Sequence, residues 1–217
     1  MAIMRSRDCD VSASWIRDFL GDTISLEIGP HYDGRFVGLL LTEGMVVTTD
    51  ISRGEVVLSE FNIESGAPRR TVLGARGSHA AISAWPFAPD HIAVVVYADE
   101  PSVEGTQMEL FVLNGSRETV IREPWTALRD FAAGGRVSVA TTSLGLAVAA
   151  YGGLPTGAVR GVVSLSLLGP RGRPIAPVAQ WGVEGMVPEV EVAAMDSEIA
   201  VHFLSATDSE ARFFRCR

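Results

Sequence analysis

The chain contains no lysine: all 18 of its basic residues are Arg. Such a bias is the codon signature of a high-GC, bacterial genome before it is a functional choice. Cysteine is almost as scarce. Cys9 and Cys216 stand at opposite ends of the 217 residues, so neither a zinc-binding spacing nor a CxxC redox motif exists, and the redox compartment stays open. P-loop, GxGxxG, GxSxG and HExxH motifs are missing, which removes the first requirement of nucleotide, serine-hydrolase and zinc-protease chemistry. No catalytic residue, metal or cofactor is therefore expected. No apolar run approaches a membrane span. The opening MAIMRSRDCDVSASWIRDFLGD turns polar within a few residues and lacks the apolar core of a secretory signal. The expected location is cytoplasmic as written, and secreted or periplasmic if the chain is a processed or truncated form.

What is present is a large apolar fraction, 47%, and a formal charge of −8. The first suffices for one ordinary domain core. The second opposes binding to nucleic acid or anionic lipid. A protein, small-molecule or glycan partner is the expectation, with a monomer favoured over a dimer.

One hydrophobic pattern recurs. FVGLLLT begins at Phe36, IAVVVYA at Ile92, LAVAAYG at Leu146 and IAVHFLS at Ile199, so successive starts lie 56, 54 and 53 residues apart. Each run follows another strand-like run across a turn, beginning at Ile24, Ala80, Val137 and Val190. A third run follows at Glu55, Met108, Val162 and Glu210, and in the first three copies a fourth at Arg69, Glu118 and Pro174. Four short strands per period is the pattern of a β-propeller blade. The second run of each copy is apolar on consecutive positions, as a strand buried on both faces must be. The expected fold is all-β: a propeller of about four four-stranded blades in a single domain over 1–217. The repeats fall near 24–79, 80–136, 137–189 and 190–217.

The fourth copy stops after its third strand, whereas about twenty residues precede the first copy. WIRDFLG resembles LRDFAAGG before the third copy, and counting back from the shared Arg-Asp-Phe places residues 3–11 where a fourth strand would lie. The last blade is thus expected to be closed by this N-terminal strand. In that register Cys9 would fall about five residues from Cys216's partner, roughly 17 Å at ~3.3 Å per residue. A disulfide needs Cα atoms within about 7 Å, so no bridge is expected. The alternative architecture is half of a seven- or eight-bladed ring.

WPFAPDHIAVVVYADE, from Trp85 to Glu100, followed by QMELFVLNGSRETVI, resembles the TolB-type propeller repeat, in which a W-S-P-D-G-like motif precedes a strand and an N/D-G turn. Here Asp90 is followed by His91 where that repeat has Gly. VVSLSLLGPRGRPIAPV is similar, more loosely, to blades of large bacterial propellers. Haemopexin-type blade motifs are absent. The resemblance implies a propeller fold and carries no catalytic residue.

Candidate binding residues come from the loops. Asp99 and Glu100, with Glu43 and Asp208, follow the second strands and would converge on one face of a ring. They read either as a cation or acid/base site or as solubilising strand ends. The repeated Arg-Asp-Phe puts Arg17, Asp18, Arg129 and Asp130 in connections on that same face, as a ligand grip or as surface pairs beside gap-filling Phe19 and Phe131. Arg69, Arg70, Arg117, Arg171 and Arg173 follow the third-to-fourth-strand turns and read as rim charges that protect edge strands. Of the histidines, His31 and His91 read as solvated turn residues and His202 as a hydrogen-bonded core or channel residue; none has metal-ligand spacing. The leading functional expectation is a non-catalytic binding or protein-interaction scaffold. The alternative is a glycan-directed hydrolase or lyase using Asp99, Glu100 or His79 near a central funnel.

Overall fold

The computed structural model describes residues 14–17, 23–26, 34–42, 45–52, 55–62, 68–77, 79–97, 106–128, 135–153, 160–176, 179–184, 189–195, 198–204 and 209–215. Its elements are all strands. β1 (Ser14–Arg17) and β2 (Thr23–Leu26) form a two-stranded ribbon. Sheet one follows as β3 (Gly34–Thr42), β4 (Met45–Ser52), β5 (Glu55–Asn62) and β6 (Pro68–Arg76). Sheet two is β7 (His79–Ala84), β8 (Ile92–Tyr97), β9 (Thr106–Leu113) and β10 (Thr119–Leu128). Sheet three is β11 (Arg136–Thr141), β12 (Leu146–Gly153), β13 (Arg160–Leu168) and β14 (Ala179–Glu184). Sheet four has β15 (Glu189–Met195), β16 (Glu198–Leu204) and β17 (Ser209–Arg215). Strand neighbours within each sheet are antiparallel and consecutive in sequence.

The first strands of the four sheets, β3, β7, β11 and β15, lie beside one another in that order. Small polar groups tie the last three together. Ser83 and Thr141 share a hydroxyl hydrogen bond of 2.9 Å between β7 and β11, and the Val192 amide donates to Ser138 Oγ at 3.1 Å between β15 and β11. Four up-and-down sheets stacked in sequence with first strands adjacent are the blade arrangement of a β-propeller.

The stacking explains the continuous apolar runs. All six residues of β8 are buried, and they divide between two cores. Ile92, Val94 and Val96 pack with Val56, Leu58, Leu73 and Ala75 of sheet one. Ala93, Val95 and Tyr97 pack with Val137, Leu146, Val148 and Ala150 of sheet three. β12 repeats the division, its Ala147, Ala149 and Tyr151 meeting Val190, Val192, Ile199, Val201 and Phe203 of sheet four. Each Val or Leu so enclosed contributes about 1.5–3 kcal/mol relative to exposure.

Strand placements in the first and third repeats differ from the sequence reading. The Ile24 run, expected to open the first repeat, is β2 and pairs with β1; the Phe36 run is the first strand of sheet one, not its second, and Met45–Ser52 is the second strand. The signal was available: MVVTTDIS is rich in β-branched residues. Only Glu43-Gly44 and Arg53-Gly54 separate it from its neighbours, and Gly in a two-residue link is a hairpin signature. In sheet three the outer strand is Ala179–Glu184, whereas the expected run at Pro174 makes only an isolated bridge to Leu168. Proline has no N–H to extend a ladder. Residues 3–11, Cys9 and Cys216 lie outside the described residues, so closure of sheet four by residues 3–11 remains an expectation; β17 pairs with β16.

Candidate interaction surface

The third-to-fourth-strand turns of sheets two and three share one geometry. In Asn114–Glu118 the amide of Arg117 donates to the Asn114 carbonyl at 2.8 Å and that of Asn114 to the Glu118 carbonyl at 3.0 Å. In Gly169–Arg173 the amides of Gly172 and Gly169 make the same two bonds, each 2.9 Å. The fourth position is left-handed in both, φ 67° at Arg117 and 76° at Gly172. Glycine is required at the second. A Cβ on Gly172 would sit 2.8 Å from Leu110 Cδ2 and 3.1 Å from Ile121 Cγ2 of sheet two.

These turns carry arginines back to the preceding sheet. Arg117 Nε donates to Glu60 Oε1 of sheet one at 2.7 Å, and the two side chains are 10% and 3% exposed. Arg173 Nε donates to Glu123 Oε1 of sheet two at 2.6 Å, at a more open position. Arg69 Nη2 donates to the Ser116 carbonyl at 2.8 Å, fastening the same junction from the other side. Arg69, Arg117 and Arg173 are thus clasps between sheets rather than rim charges alone, and Arg171 is exposed.

The outer strands carry a matched pair that sequence reading passed over. Trp125 of β10 stands opposite Met108, and Trp181 of β14 opposite Val163, at corresponding places in their sheets. Both indoles are half-buried, and neither buried Nε1 has a hydrogen-bond partner. Trp181 closes the junction of sheets three and four, with Phe214 at 5.6 Å, Phe203 at 6.4 Å and the Arg212 guanidinium stacked at 4.9 Å.

Sheet four departs from the rest on its far side. Its Ile199, Val201 and Phe203 are buried against sheet three, but burial along β16 alternates, whereas β8 is enclosed throughout. The outward side consists of four cross-strand rows. Glu189, Leu204 and Ser209 form the first and Glu191, His202 and Ala211 the second. Ala193, Ala200 and Phe213 form the third, and Met195, Glu198 and Arg215 the last. Phe213 is 81% and Met195 72% exposed, far beyond what a core aromatic or thioether tolerates. His202 Nε2 lies 2.8 Å from Ser209 Oγ. Glu198 pairs with Arg215, whose guanidinium is held above its usual pKa by the hydrogen bond and then the charge of that carboxylate. Arg122 is raised likewise by its hydrogen bond to Glu109, and by that carboxylate's charge.

Of the loop candidates, Asp18, Asp99, Glu100, Arg129 and Asp130 lie outside the described residues, as do Glu43, Asp208 and His31. Arg17 ends β1, where the backbone pairing with Thr23 is described and its side chain is not. His79 opens β7, half-buried, and its Nδ1 accepts a long 3.4 Å bond from the Val137 amide. His91 is anchored in its turn: Nδ1 faces the Pro89 carbonyl at 2.7 Å and so donates to it. Asp90 beside it is left-handed at φ 58°, a conformation that Asp adopts more readily than most non-glycine residues. Among the described residues no three His, Cys, Asp or Glu side chains gather to hold a metal, and no helix is long and apolar enough to cross a membrane.

Among the described residues, stacked antiparallel meanders with adjacent first strands define a propeller-type blade array. No protein-family model matches the chain, and no curated protein matches its sequence. Among solved structures it is similar to the WD40 domain of SCAP from fission yeast, at 8% identity and a TM-score of 0.30, over 95% of this chain and 72% of that one.

Proposed function

We propose that the protein is a non-catalytic interaction scaffold whose working surface is the outward side of sheet four. A single observation carries this reading. The corresponding strands β8 and β12 are enclosed on both sides, whereas β16 keeps Ala200, His202 and Leu204 toward an uncovered face. A contiguous exposed apolar surface rimmed by charge marks a place where another molecule docks. Here Phe213, Ala200, Ala193 and Met195 supply the apolar part, bordered by Glu191 and His202 in one row and by Glu198 and Arg215 in the other. The surface offers flat β-sheet rather than a cleft, which suits a polypeptide better than a small molecule. The test is a photo-cross-linking residue at position 213 in the cell that makes the protein. Covalent adducts to a polypeptide are expected; a chain that emerges unadducted from position 213 while folded overturns the reading.

A further inference from the structure

We propose that the third-to-fourth-strand turn of sheet three, Gly169–Arg173, binds a small oxyanion, a phosphate or a carboxylate group, on its backbone amides; the site is separate from sheet four and does not depend on the scaffold reading. The matching turn of sheet two shows what such a site holds. There the amides of Ser116 and Glu118 both donate to one oxygen, Asn114 Oδ1, each at 3.0 Å. Amides on either side of a left-handed residue form a concave nest that favours an oxygen carrying negative charge. The two turns have the same pair of backbone hydrogen bonds and the same left-handed fourth position. The amides of Arg171 and Arg173 are therefore aimed as those of Ser116 and Glu118 are.

Sheet three's turn has no such oxygen of its own. Gly169 stands where sheet two has Asn114, and a Cβ there would lie 2.3 Å from Ile175 Cγ2, so no side chain fits at this position unless Ile175 is displaced. Pro170 has no N–H and the Gly172 amide donates to the Gly169 carbonyl, which leaves the Arg171 and Arg173 amides without an acceptor among the described residues. Charge distinguishes the turns as well. Sheet two's turn carries Glu118, whose carboxylate accepts from Asn114 Nδ2 at 3.1 Å, and its Arg117 is committed to Glu60. Sheet three's turn carries Arg171 and Arg173 and no acid. Glu123 neutralises Arg173, whereas Arg171 is exposed and pairs with no carboxylate among the described residues. An incoming oxyanion thus meets two aimed amides and an uncommitted guanidinium, charge-assisted contacts that run about twice the strength of neutral ones.

The experiment is an amide-resolved NMR titration of the full chain with inorganic phosphate and, separately, with acetate, at constant ionic strength and pH. The amide protons of Arg171 and Arg173 are expected to move downfield and saturate, while those of Ser116 and Glu118, whose nest is filled, stay in place. The tighter of the two anions identifies the group, phosphate or carboxylate, that the turn selects. Arg171→Ala is expected to weaken binding about tenfold, the loss of one charge-assisted contact; an unchanged affinity overturns the proposal. Gly169→Asn combined with Ile175→Ala gives the turn an amide oxygen of its own and is expected to abolish the response. Shifts that grow linearly with either anion, or that are equal at Ser116 and Glu118, overturn the proposal, as does a folded double variant that responds like the parent.

Discussion

Arg117 and Glu60 form an ion pair across the junction of sheets one and two, enclosed so completely that the carboxylate is 3% exposed and its Oε2 has no partner. Removing one member strands a charge away from water, which costs about 3–5 kcal/mol, while replacing both with apolar groups is often neutral. Arg117→Ala should lower the urea-unfolding free energy by that amount. Arg117→Leu with Glu60→Leu should lie much nearer the parent. The corresponding Arg173→Ala, whose partner pair is largely solvated, should lose only about 0–1 kcal/mol.

Val95 and His202 occupy corresponding positions in β8 and β16, one wholly enclosed and the other on the open side of sheet four. Val95→Asp places an unpaired carboxylate between sheets two and three and should destabilise by several kcal/mol, a large part of a domain's margin. His202→Gln should shift stability by about 0.5 kcal/mol. Thermal denaturation of the pair compares the two environments directly; equal melting of Val95→Asp and the parent would place β8 elsewhere.

Gly135 leads into β11 beneath the ring of Tyr97, and a Cβ there would stand 1.9 Å from Tyr97 Cζ. Tyr97 is 2% exposed and has no room to withdraw. Gly135→Ala should therefore destabilise by about 1–3 kcal/mol, as overpacked cores do. Combining it with Tyr97→Leu should return part of that loss, a non-additivity that chemical denaturation resolves.

Trp181 fills the gap between sheets three and four, so Trp181→Ala should cost about 3–5 kcal/mol. Arg212→Ala removes only the stacked guanidinium and should cost about 0.5–1 kcal/mol. Trp181→Phe should fall between, since it discards an indole N–H that has no acceptor along with part of the buried ring. Equilibrium unfolding of the three variants orders these contributions.

The recurring runs were legible across three of the four sheets. β7 to β10, β11 to β13 and β15 to β17 stand where those runs put them, and the unbroken apolar composition of β8 and β12 states double-sided burial. β4 was missed because Thr48, Thr49 and Asp50 make it look polar although its ladder to β3 and β5 is complete. The clasps of Arg117 and Arg173 were illegible: a turn arginine looks the same whether it meets water or the carboxylate of another sheet. The open face was half-legible. His202 interrupts IAVHFL where β8 has Val95, and Glu189 and Glu191 alternate along β15, the pattern of one-sided burial. The loop candidates rested on convergence of connections, and five of the six fall outside the described residues.

Residue-resolved hydrogen–deuterium exchange of the full chain tests the stacked-blade account most directly. Amides of Val94, Val95 and Val148, Ala149, central in sheets enclosed on both sides, should exchange only by global opening, while those of Ala211 and Phe213 in β17 exchange orders of magnitude faster. Exchange of β8 and β12 as fast as β17 would contradict the enclosure on which the fold depends.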